Sequence, residues 1–292
     1  MRWLWLMVVI GAAACQRAAP PSRFPDARSA IARMREAHAC SRGLTGEGSF
    51  DYLGDEGRVR AKSLYVVARP TSLRFDVMSP LGGVLSTLTS DGHTFSFSDL
   101  RERQFVTGPA DECNVERALR VPIPPAALGE LMTGLAPILV HQPEQATLTW
   151  DDGSYRLQIQ SEVQATEEVR LLPRDEDWQR PWQEQQLRVI QVKVSQQGLV
   201  LYEASLEEHR VAQQAAARVD PDGIEPDVPP SGPACQAEVP RRIRFQVPGS
   251  GRDIVFLQSE VHHNPPILAG LFEQAPAGGL VVRRSACATA AP

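Results

Sequence analysis

The feature that most constrains the fold is a series of alternating stretches joined by glycine-containing turns. In Ser72–Met78, for example, apolar and polar side chains alternate, which is the period of a strand with one buried face. Similar stretches flank Asp91-Gly92, Asp152-Gly153 and Gln197-Gly198. Such dipeptides are typical of tight hairpins, and Asp91-Gly92 favours a type I′ turn. About eleven or twelve hairpin-connected strands predict one antiparallel sheet, and a sheet of that size curls or closes.

Helical segments are predicted where they can cover the inner face of this sheet. Asp26 can cap a helix that runs to about Ala39. A short helix is predicted from Asn114 to Leu119, and a further helix over Ala126–Thr133 is ended by Gly134. The predicted fold class is mainly β with α cover (α+β), a curled antiparallel half-barrel of about eleven strands closed by helices around a hydrophobic cavity.

Residues 1–14 are typical of a signal peptide. A short positive start precedes the apolar run Trp3–Ile10, which is too short to span a bilayer. Small residues at 12 and 14 suit an ordinary secretory peptidase, and the same stretch is similar to a bacterial lipobox. Both interpretations place the cut before Cys15. The odd count of five cysteines favours acylation of Cys15, because four then remain to pair.

An acylated Cys15 would anchor the chain almost permanently, since each buried methylene contributes about 0.8 kcal/mol. Residues 15–25 would then form the lipidated N-terminus and a Pro-containing tether. Under the familiar bacterial sorting rule, Asp after the acylated Cys retains a lipoprotein in the inner membrane, whereas Gln16 stands there in this chain. The predicted location is the outer membrane, with the protein facing the periplasm.

The other four cysteines are candidates for two disulfides in an oxidising compartment. Four cysteines allow three pairings. We favour Cys40–Cys113 with Cys235–Cys287, because this pairing would place one staple towards each end of the chain. The other two pairings stay open at the level of sequence.

Residues 26–292 are predicted to form a single domain with two insertions. The stretch near 162–185 is acidic and contains Trp178 and Trp182. The stretch near 211–240 begins Ala/Gln-rich and ends Pro-rich, which favours a short helix followed by a loop. Trp favours bilayer interfaces, so the two tryptophans suit contact with a membrane surface, although the neighbouring acids oppose approach to anionic lipid.

Composition and motifs argue against several classes of function. A formal net charge of -5 is unfavourable for binding nucleic acid. His262 and His263 are adjacent on a predicted strand and would point to opposite faces, so we expect no metal site there. The sequence carries none of the common nucleophile, dinucleotide, phosphate-loop or zinc-protease signatures. We expect no enzyme activity and no cofactor, and we expect a monomer.

Two stretches of the chain carry motifs of a known family. Residues 74–92 read RFDVMSPLGGVLSTLTSDG, with Pro80-Leu81-Gly82 between two strands. Residues 119–137 read LRVPIPPAALGELMTGLAP, and residues 272–282 read FEQAPAGGLVV. The sequence resembles the outer-membrane lipoprotein receptor of the lipoprotein-localisation system, in the LolA/LolB-like superfamily. The remaining matching positions are Ile123-Pro124, Leu128, Leu131, Gly134 and Pro137.

The resemblance implies a half-barrel with an apolar cavity for acyl chains. It also implies a Leu on the Pro-Leu-Gly turn that helps to put a delivered lipoprotein into the membrane. Leu81 stands at that position, and packing of Leu81 against the end of the sheet is the alternative. The residues expected to line the cavity or its helical lid are all apolar, namely Leu73, Phe75, Val77, Leu85, Phe95, Phe97, Leu128 and Leu131.

These features together predict an outer-membrane lipoprotein that binds acyl chains or lipoproteins and aids their delivery to the membrane. A periplasmic carrier protein would be its partner. The alternative is a structural or assembly lipoprotein that uses the same fold as a protein-interaction module, with a filled interior and no lipid transfer.

Overall fold

The computed structural model of the protein describes residues 17–54, 57–119 and 121–285. The predicted signal peptide, Cys15, Cys287 and the turn residues Asp55-Glu56 lie outside these ranges. The helices are α1 (Ala27–Ala37), α2 (Glu112–Leu119) and α3 (Pro125–Thr133). The strands are β1 (Gly43–Gly54), β2 (Gly57–Ala68), β3 (Ser72–Met78), β4 (Val84–Ser90), β5 (Thr94–Asp99), β6 (Gln104–Pro109), β7 (Ala146–Asp151), β8 (Ser154–Gln160), β9 (Ala165–Pro173), β10 (Leu187–Gln196), β11 (Leu199–Glu207), β12 (Arg210–Val211), β13 (Gln213–Gln214), β14 (Glu238–Val239), β15 (Arg242–Val247), β16 (Arg252–His263) and β17 (Val281–Arg284).

One large curled sheet dominates the molecule, as the mainly-β prediction required. Its strand order is β17-β6-β5-β4-β3-β2-β1-β16-β15-β11-β10-β9-β8-β7. Neighbours are antiparallel except that β17 runs parallel to β6, and β13 adds a parallel pair to β16. The long pairing of β1 with β16 joins the β1–β6 half to the β7–β11 half. The sheet ends at β17 and β7 and does not close.

The expected number of about eleven strands is wrong, because the sheet has fifteen strands with β13 included. Ala165–Pro173, within the stretch predicted to be an insertion, is a full strand between β8 and β10. The 211–240 stretch contributes the short strands β12, β13 and β14 where a short helix was predicted. Backbone pairing with β16 and between β12 and β14 satisfies these amides instead of a helix.

The hairpins predicted at Asp152-Gly153 and Gln197-Gly198 are present. Asp152-Gly153 has φ of 48° and 76°, and Gln197-Gly198 has φ of 50° and 81°, as type I′ turns require. The type I′ prediction for Asp91-Gly92 is wrong, because Gly92 has positive φ and Asp91 does not. The Asp91 carboxylate instead accepts hydrogen bonds from the amides of His93 (2.8 Å) and Thr94 (2.7 Å), which holds the turn.

The start of α1 and the end of α3 match the caps predicted from sequence, whereas α2 begins at Glu112, before the predicted cap Asn114. Asp26 Oδ1 accepts the amide hydrogen of Ser29 at 2.7 Å and caps α1. Gly134, with φ of 88°, ends α3 in the left-handed conformation. α1 packs on β10 and β7, whereas α3 packs on β3. None of the described helices is long and apolar enough to cross a membrane.

The concave face of the sheet is filled by side chains and helices. One continuous apolar core runs from α1 and α3 to both halves of the sheet. The void enclosed between the end of α1 and the start of β10 measures about 10 Å³, room for one water molecule at most. The predicted hydrophobic cavity is therefore not confirmed. Fully buried members of the core include Tyr65, Leu73, Phe95, Leu131, Met132, Leu157 and Leu171.

The C-terminal part of the chain crosses the convex face of β4 and β5. Gln274 donates hydrogen bonds to Thr87 O, Thr89 Oγ1 and Ser96 O at 3.0–3.1 Å and accepts one from Ser98 Oγ. This contact buries polar positions that would otherwise face solvent. The chain then continues into β17 beside β6.

The observed disulfide joins Cys40 to Cys235, so the predicted pairing of Cys40 with Cys113 and Cys235 with Cys287 is wrong. The β1–β16 pairing brings the loop before β1 next to Asn264, and hydrogen bonds from His263 and Asn264 to Ala237 O and Pro233 O hold the Cys235 loop at the same place. Asn264 bridges the two cysteine-bearing loops. Its side chain donates to Cys40 O and Pro233 O and accepts from the Arg42 amide. Cys113 is disulfide-bonded as well.

Candidate functional site

The turn between β3 and β4 presents an apolar side chain on a well-defined backbone. Ser79 N donates to Gly83 O at 2.7 Å, Gly82 N donates to Ser79 O at 3.0 Å, and Leu81 N donates to Ser79 Oγ at 3.1 Å. Gly82 has φ of 91°, which favours glycine at this position. The Leu81 side chain is 98% exposed, so it does not pack against the end of the sheet.

Other exposed apolar side chains lie at the same edge of the sheet as the Leu81 turn. In an antiparallel sheet, every second turn lies at the same ends of the strands, so the β1–β2, β3–β4 and β5–β6 connections lie together. Leu53, Val59, Val84 and Leu100 flank these connections and are exposed. The Pro80-Leu81-Gly82 motif did not identify these residues. Their sequence signal was an apolar residue next to a predicted turn.

Most of the residues predicted to line a cavity lie on the concave face of the sheet, where they pack into the apolar core. On the concave face, cross-strand neighbours share a side, and the register aligns Phe75 with Leu88 and Leu88 with Phe97. Leu85 is half-buried and lies at an irregularity of the β3–β4 pairing, where Val77 pairs with Ser86 and Met78 with Val84, so its place on this face stays a prediction. The predicted residues that do meet in or against the core are Leu73, Phe75, Phe95, Phe97, Leu128 and Leu131, with Val77 half-buried on the same face of β3.

Helix α3 covers part of this concave face at close range. A Cβ placed on Gly129 would lie 3.1 Å from Val67 Cγ1, so glycine lets the helix approach β2 closely. Beyond this apolar contact, two polar side chains tie the helix and the segment after it to the sheet. We call these two side chains, Gln258 and Glu167, the polar ties. Neither was identified from the sequence.

The first polar tie is Gln258 on β16. Its Nε2 donates to Met132 O in α3 at 3.2 Å and to Pro240 O at 2.6 Å. Its Oε1 accepts from the hydroxyl of Tyr65 at 2.6 Å. The Tyr65 ring is buried between Phe75 and Phe256. Burial raises the pKa of this hydroxyl, so Tyr65 remains a hydrogen-bond donor.

The second polar tie is Glu167 on β9, whose side chain is 1% exposed. Its Oε2 accepts the amide hydrogen of Leu139, in the segment that follows α3, at 2.9 Å. No described residue hydrogen-bonds Oε1. Burial is the main cause that raises the pKa of this carboxyl to about 8, with a contribution from the nearby Glu130. The sequence signal was an acid at an inward position of the alternating β9 strand.

An open groove of about 370 Å³ lies on the convex face, where β16, β1, β2 and β3 meet. Leu64 and Leu271 give it an apolar part, and Glu47, Glu260 and His262 give it a polar part. His263 points to the other face, where its ring nitrogens contact Ser41 Oγ and Ala237 O. Within the described ranges, no three His, Cys, Asp or Glu side chains are placed to hold a metal ion.

Comparisons with known proteins show similarity at the level of structure. No protein-family model matches the sequence, and no curated protein matches it. A crystal structure of a DUF1329 family protein from Desulfovibrio piger superposes with a TM-score of 0.54 at 9% identity, covering 85% of this chain and 95% of that one. A LolA superfamily protein from Nitrosomonas europaea superposes with a TM-score of 0.51 at 10% identity, covering 86% and 99%. The chain therefore has the fold of the LolA superfamily.

Proposed function

We propose that the protein is an outer-membrane lipoprotein, acylated at Cys15 and facing the periplasm, that binds acyl chains or lipoproteins and aids their delivery to the membrane. The observation that carries this proposal is the Leu81 side chain, which a hydrogen-bonded turn holds in solvent. A fixed, exposed Leu on a LolA-type sheet suits contact with lipid, since burying it in an apolar phase gains about 1.5–3 kcal/mol.

Acyl chains bind on the concave face in this proposal, and binding requires α3 to move. The face is filled by side chains and helices, so cargo can enter only if these contacts open. The polar ties Gln258 and Glu167 hold α3 and the following segment down. An acyl chain of sufficient apolar area compensates for the displaced contacts at about 25 cal/mol per Å².

Binding of a diacylated lipopeptide is expected to loosen α3. The experiment measures hydrogen exchange of the soluble Cys15→Ser chain without residues 1–14, with and without the lipopeptide. We expect amides of α3 and of 134–140 to exchange at least tenfold faster when it is bound, because opening exposes their backbone. Amides of β10 serve as the internal control. Unchanged exchange in α3 despite saturable binding would show that cargo binds elsewhere.

Replacing Leu81 with Glu is expected to abolish transfer without affecting the fold. The side chain is almost wholly exposed, so the free energy of unfolding should change by less than about 0.5 kcal/mol. A carboxylate at the tip opposes entry into lipid, and we expect transfer of a fluorescent lipopeptide to vesicles to slow at least tenfold. The matched control is Ile224→Glu, at a position 85% exposed in a different loop. Equal transfer by the Leu81 and Ile224 variants would remove Leu81 from the mechanism.

A second candidate function is favoured by one observation, the filled concave face. A fold with no room for lipid serves equally well as a structural or assembly module that binds another protein. The lipopeptide experiment separates the two, since such a module shows no saturable lipopeptide binding at all.

A further inference from the structure

The segment 17–25, predicted from sequence to be a tether, is packed against the β7–β9 end of the sheet. Ser22 O accepts a hydrogen bond from Gln185 Nε2 at 3.0 Å, and Ser22 Oγ accepts one from the Trp182 amide at 2.9 Å. Phe24 is buried, with its ring 5.4 Å from the rings of both Tyr155 and Trp182. We call residues 17–25 the docked segment.

The docked segment begins at a cluster of aromatic side chains. The guanidinium of Arg17 lies 3.5 Å from the centre of the Trp178 ring. Arg17 O accepts a hydrogen bond from Trp150 Nε1 at 3.3 Å. Trp150 and Trp178 contact each other edge to face at 5.6 Å. Trp178, from the stretch predicted to be an acidic insertion, and Trp150 of β7 thus form the surface against which the start of the docked segment packs.

Two acids of this stretch, Asp175 and Asp177, are ion-paired with arginines. Asp175 accepts a hydrogen bond from Arg17 at 2.8 Å. The buried Asp177 lies 3.0 Å from Arg174 and 3.1 Å from Arg180. These ion pairs reduce the repulsion between the cluster and a lipid surface, which was the objection to a membrane role for Trp178 and Trp182.

Chain length fixes where an anchor at Cys15 can lie. Two peptide units separate the Cα atoms of residues 15 and 17, a reach of about 7 Å when fully extended. With Cys15 acylated as proposed above, this reach keeps the anchor close to Arg17, and so close to Trp150 and Trp178. Trp side chains are favoured at this depth, where the ring is apolar and its N–H remains close to polar groups.

We propose that the cluster of Trp150, Trp178 and Trp182 is a membrane-contact surface, and that the docked segment sets the orientation of the anchored protein. This proposal rests on the acylation of Cys15 in the proposed function. The Asp152-Gly153 turn, beside which Arg17 lies, is at one edge of the sheet. The Leu81 turn lies at the opposite ends of the strands. While the docked segment holds the Trp cluster at the bilayer, Leu81 therefore points away from it, and the docked segment must be released before Leu81 can contact the same membrane.

The tryptophans themselves supply the test. Of the five tryptophans, Trp3 and Trp5 lie in the predicted signal peptide, so mature protein contains the three of the cluster. Acylated mature protein is reconstituted in phosphatidylcholine vesicles whose acyl chains carry bromine close to the headgroup. We expect Trp emission to fall at least twofold relative to vesicles without bromine. Unchanged emission overturns the proposal, as does mass spectrometry that finds Cys15 without acyl chains.

A pair of variants tests the role of the docked segment. Phe24→Ala removes the buried ring and should release the segment, so quenching should fall by at least half. Phe24→Leu keeps apolar bulk and should be quenched as wild type is. Equal quenching of both variants overturns the assignment of orientation to the docked segment. Lipopeptide binding by the soluble Cys15→Ser chain is measured separately, so failure of cargo binding is distinguishable from failure of this proposal.

Discussion

Replacing Glu167 with Gln is expected to flatten the dependence of stability on pH, removing a change of about 4 kcal/mol between pH 4.5 and pH 8. Burial raises the pKa of Glu167 from 4.5 to about 8. A shift of one unit corresponds to about 1.4 kcal/mol. Gln is close in shape to the protonated carboxyl, and its oxygen can still accept the hydrogen bond of the Leu139 amide.

The sign of the effect follows from which state binds the proton. Above pH 4.5 the unfolded chain loses the Glu167 proton, whereas the folded protein keeps it up to about pH 8. The unfolded state is therefore stabilised relative to the folded state as pH rises, and the protein loses stability from pH 4.5 to 8. Above about pH 8 the charged form lies buried beside Glu130, and the hydrogen bond from the Leu139 amide offsets only part of the cost of this burial.

His209 acts in the opposite direction and determines where the effect is best measured. Burial lowers the pKa of this imidazole to about 4. The unfolded chain protonates His209 below pH 6.5 while the folded protein does not, so stability is lost as pH falls from 6.5 towards 4. The contributions of the two residues offset each other between pH 4.5 and 6.5. The slope due to Glu167 is therefore isolated between pH 6.5 and 8.

The measurement is urea unfolding of the soluble chain at half-unit steps of pH. Wild type should lose about 2 kcal/mol between pH 6.5 and 8, and Glu167→Gln should lose little over this interval. The matched control is Glu144→Gln at an exposed position, which should follow wild type. Parallel profiles for wild type and Glu167→Gln would show that Glu167 is ionised throughout, contrary to its burial.

Local features of the fold were predictable because neighbouring residues determine them. Asp26 and Gly134 mark helix ends, and Gly153 and Gly198 mark hairpins, through their own conformational preferences. β9 was missed because the inward Glu167, next to the outward Glu168, disguises its alternation. Burial of that acid depends on Leu139, 28 residues away in the chain, and no local pattern reports such a contact.

The candidate site was predictable in part for the same reason. The exposure of Leu81 follows from the Pro-Leu-Gly turn itself. Whether the concave face is hollow or filled depends on how closely α3 approaches β2. This approach is set at the contact of Gly129 with Val67, two residues that are distant in sequence and meet only in the folded protein. The hydrogen bonds that hold the docked segment likewise join residues more than 130 positions apart. A strand that lines a cavity and a strand that packs into a core show the same alternation of apolar and polar residues, so the sequence pattern does not distinguish the two.

The cysteine pairing shows how a long-range feature governs stability at one place in the sheet. The β1–β6 and β7–β11 halves meet through the β1–β16 pairing, and the Cys40–Cys235 disulfide lies where that pairing ends. The bonded residues are 195 apart in sequence. Closing a loop of this length restricts the unfolded chain strongly, and the chain-entropy argument gives a stabilisation of about 5 kcal/mol.

The double variant Cys40→Ala, Cys235→Ala is expected to unfold with a free energy lower by about 2–5 kcal/mol, with a Tm lower by about 5–15 °C. The loss should be concentrated at the seam, because Asn264 then holds the two loops with hydrogen bonds alone. Hydrogen exchange should therefore accelerate first in β1 and β16, while β8 and β9 keep their protection. Wild type in reducing agent is the comparison for Cys113, which is also disulfide-bonded. A double variant within 1 kcal/mol of wild type would mean that the β1–β16 pairing already orders these loops in the unfolded chain, and that the disulfide adds no constraint at the seam.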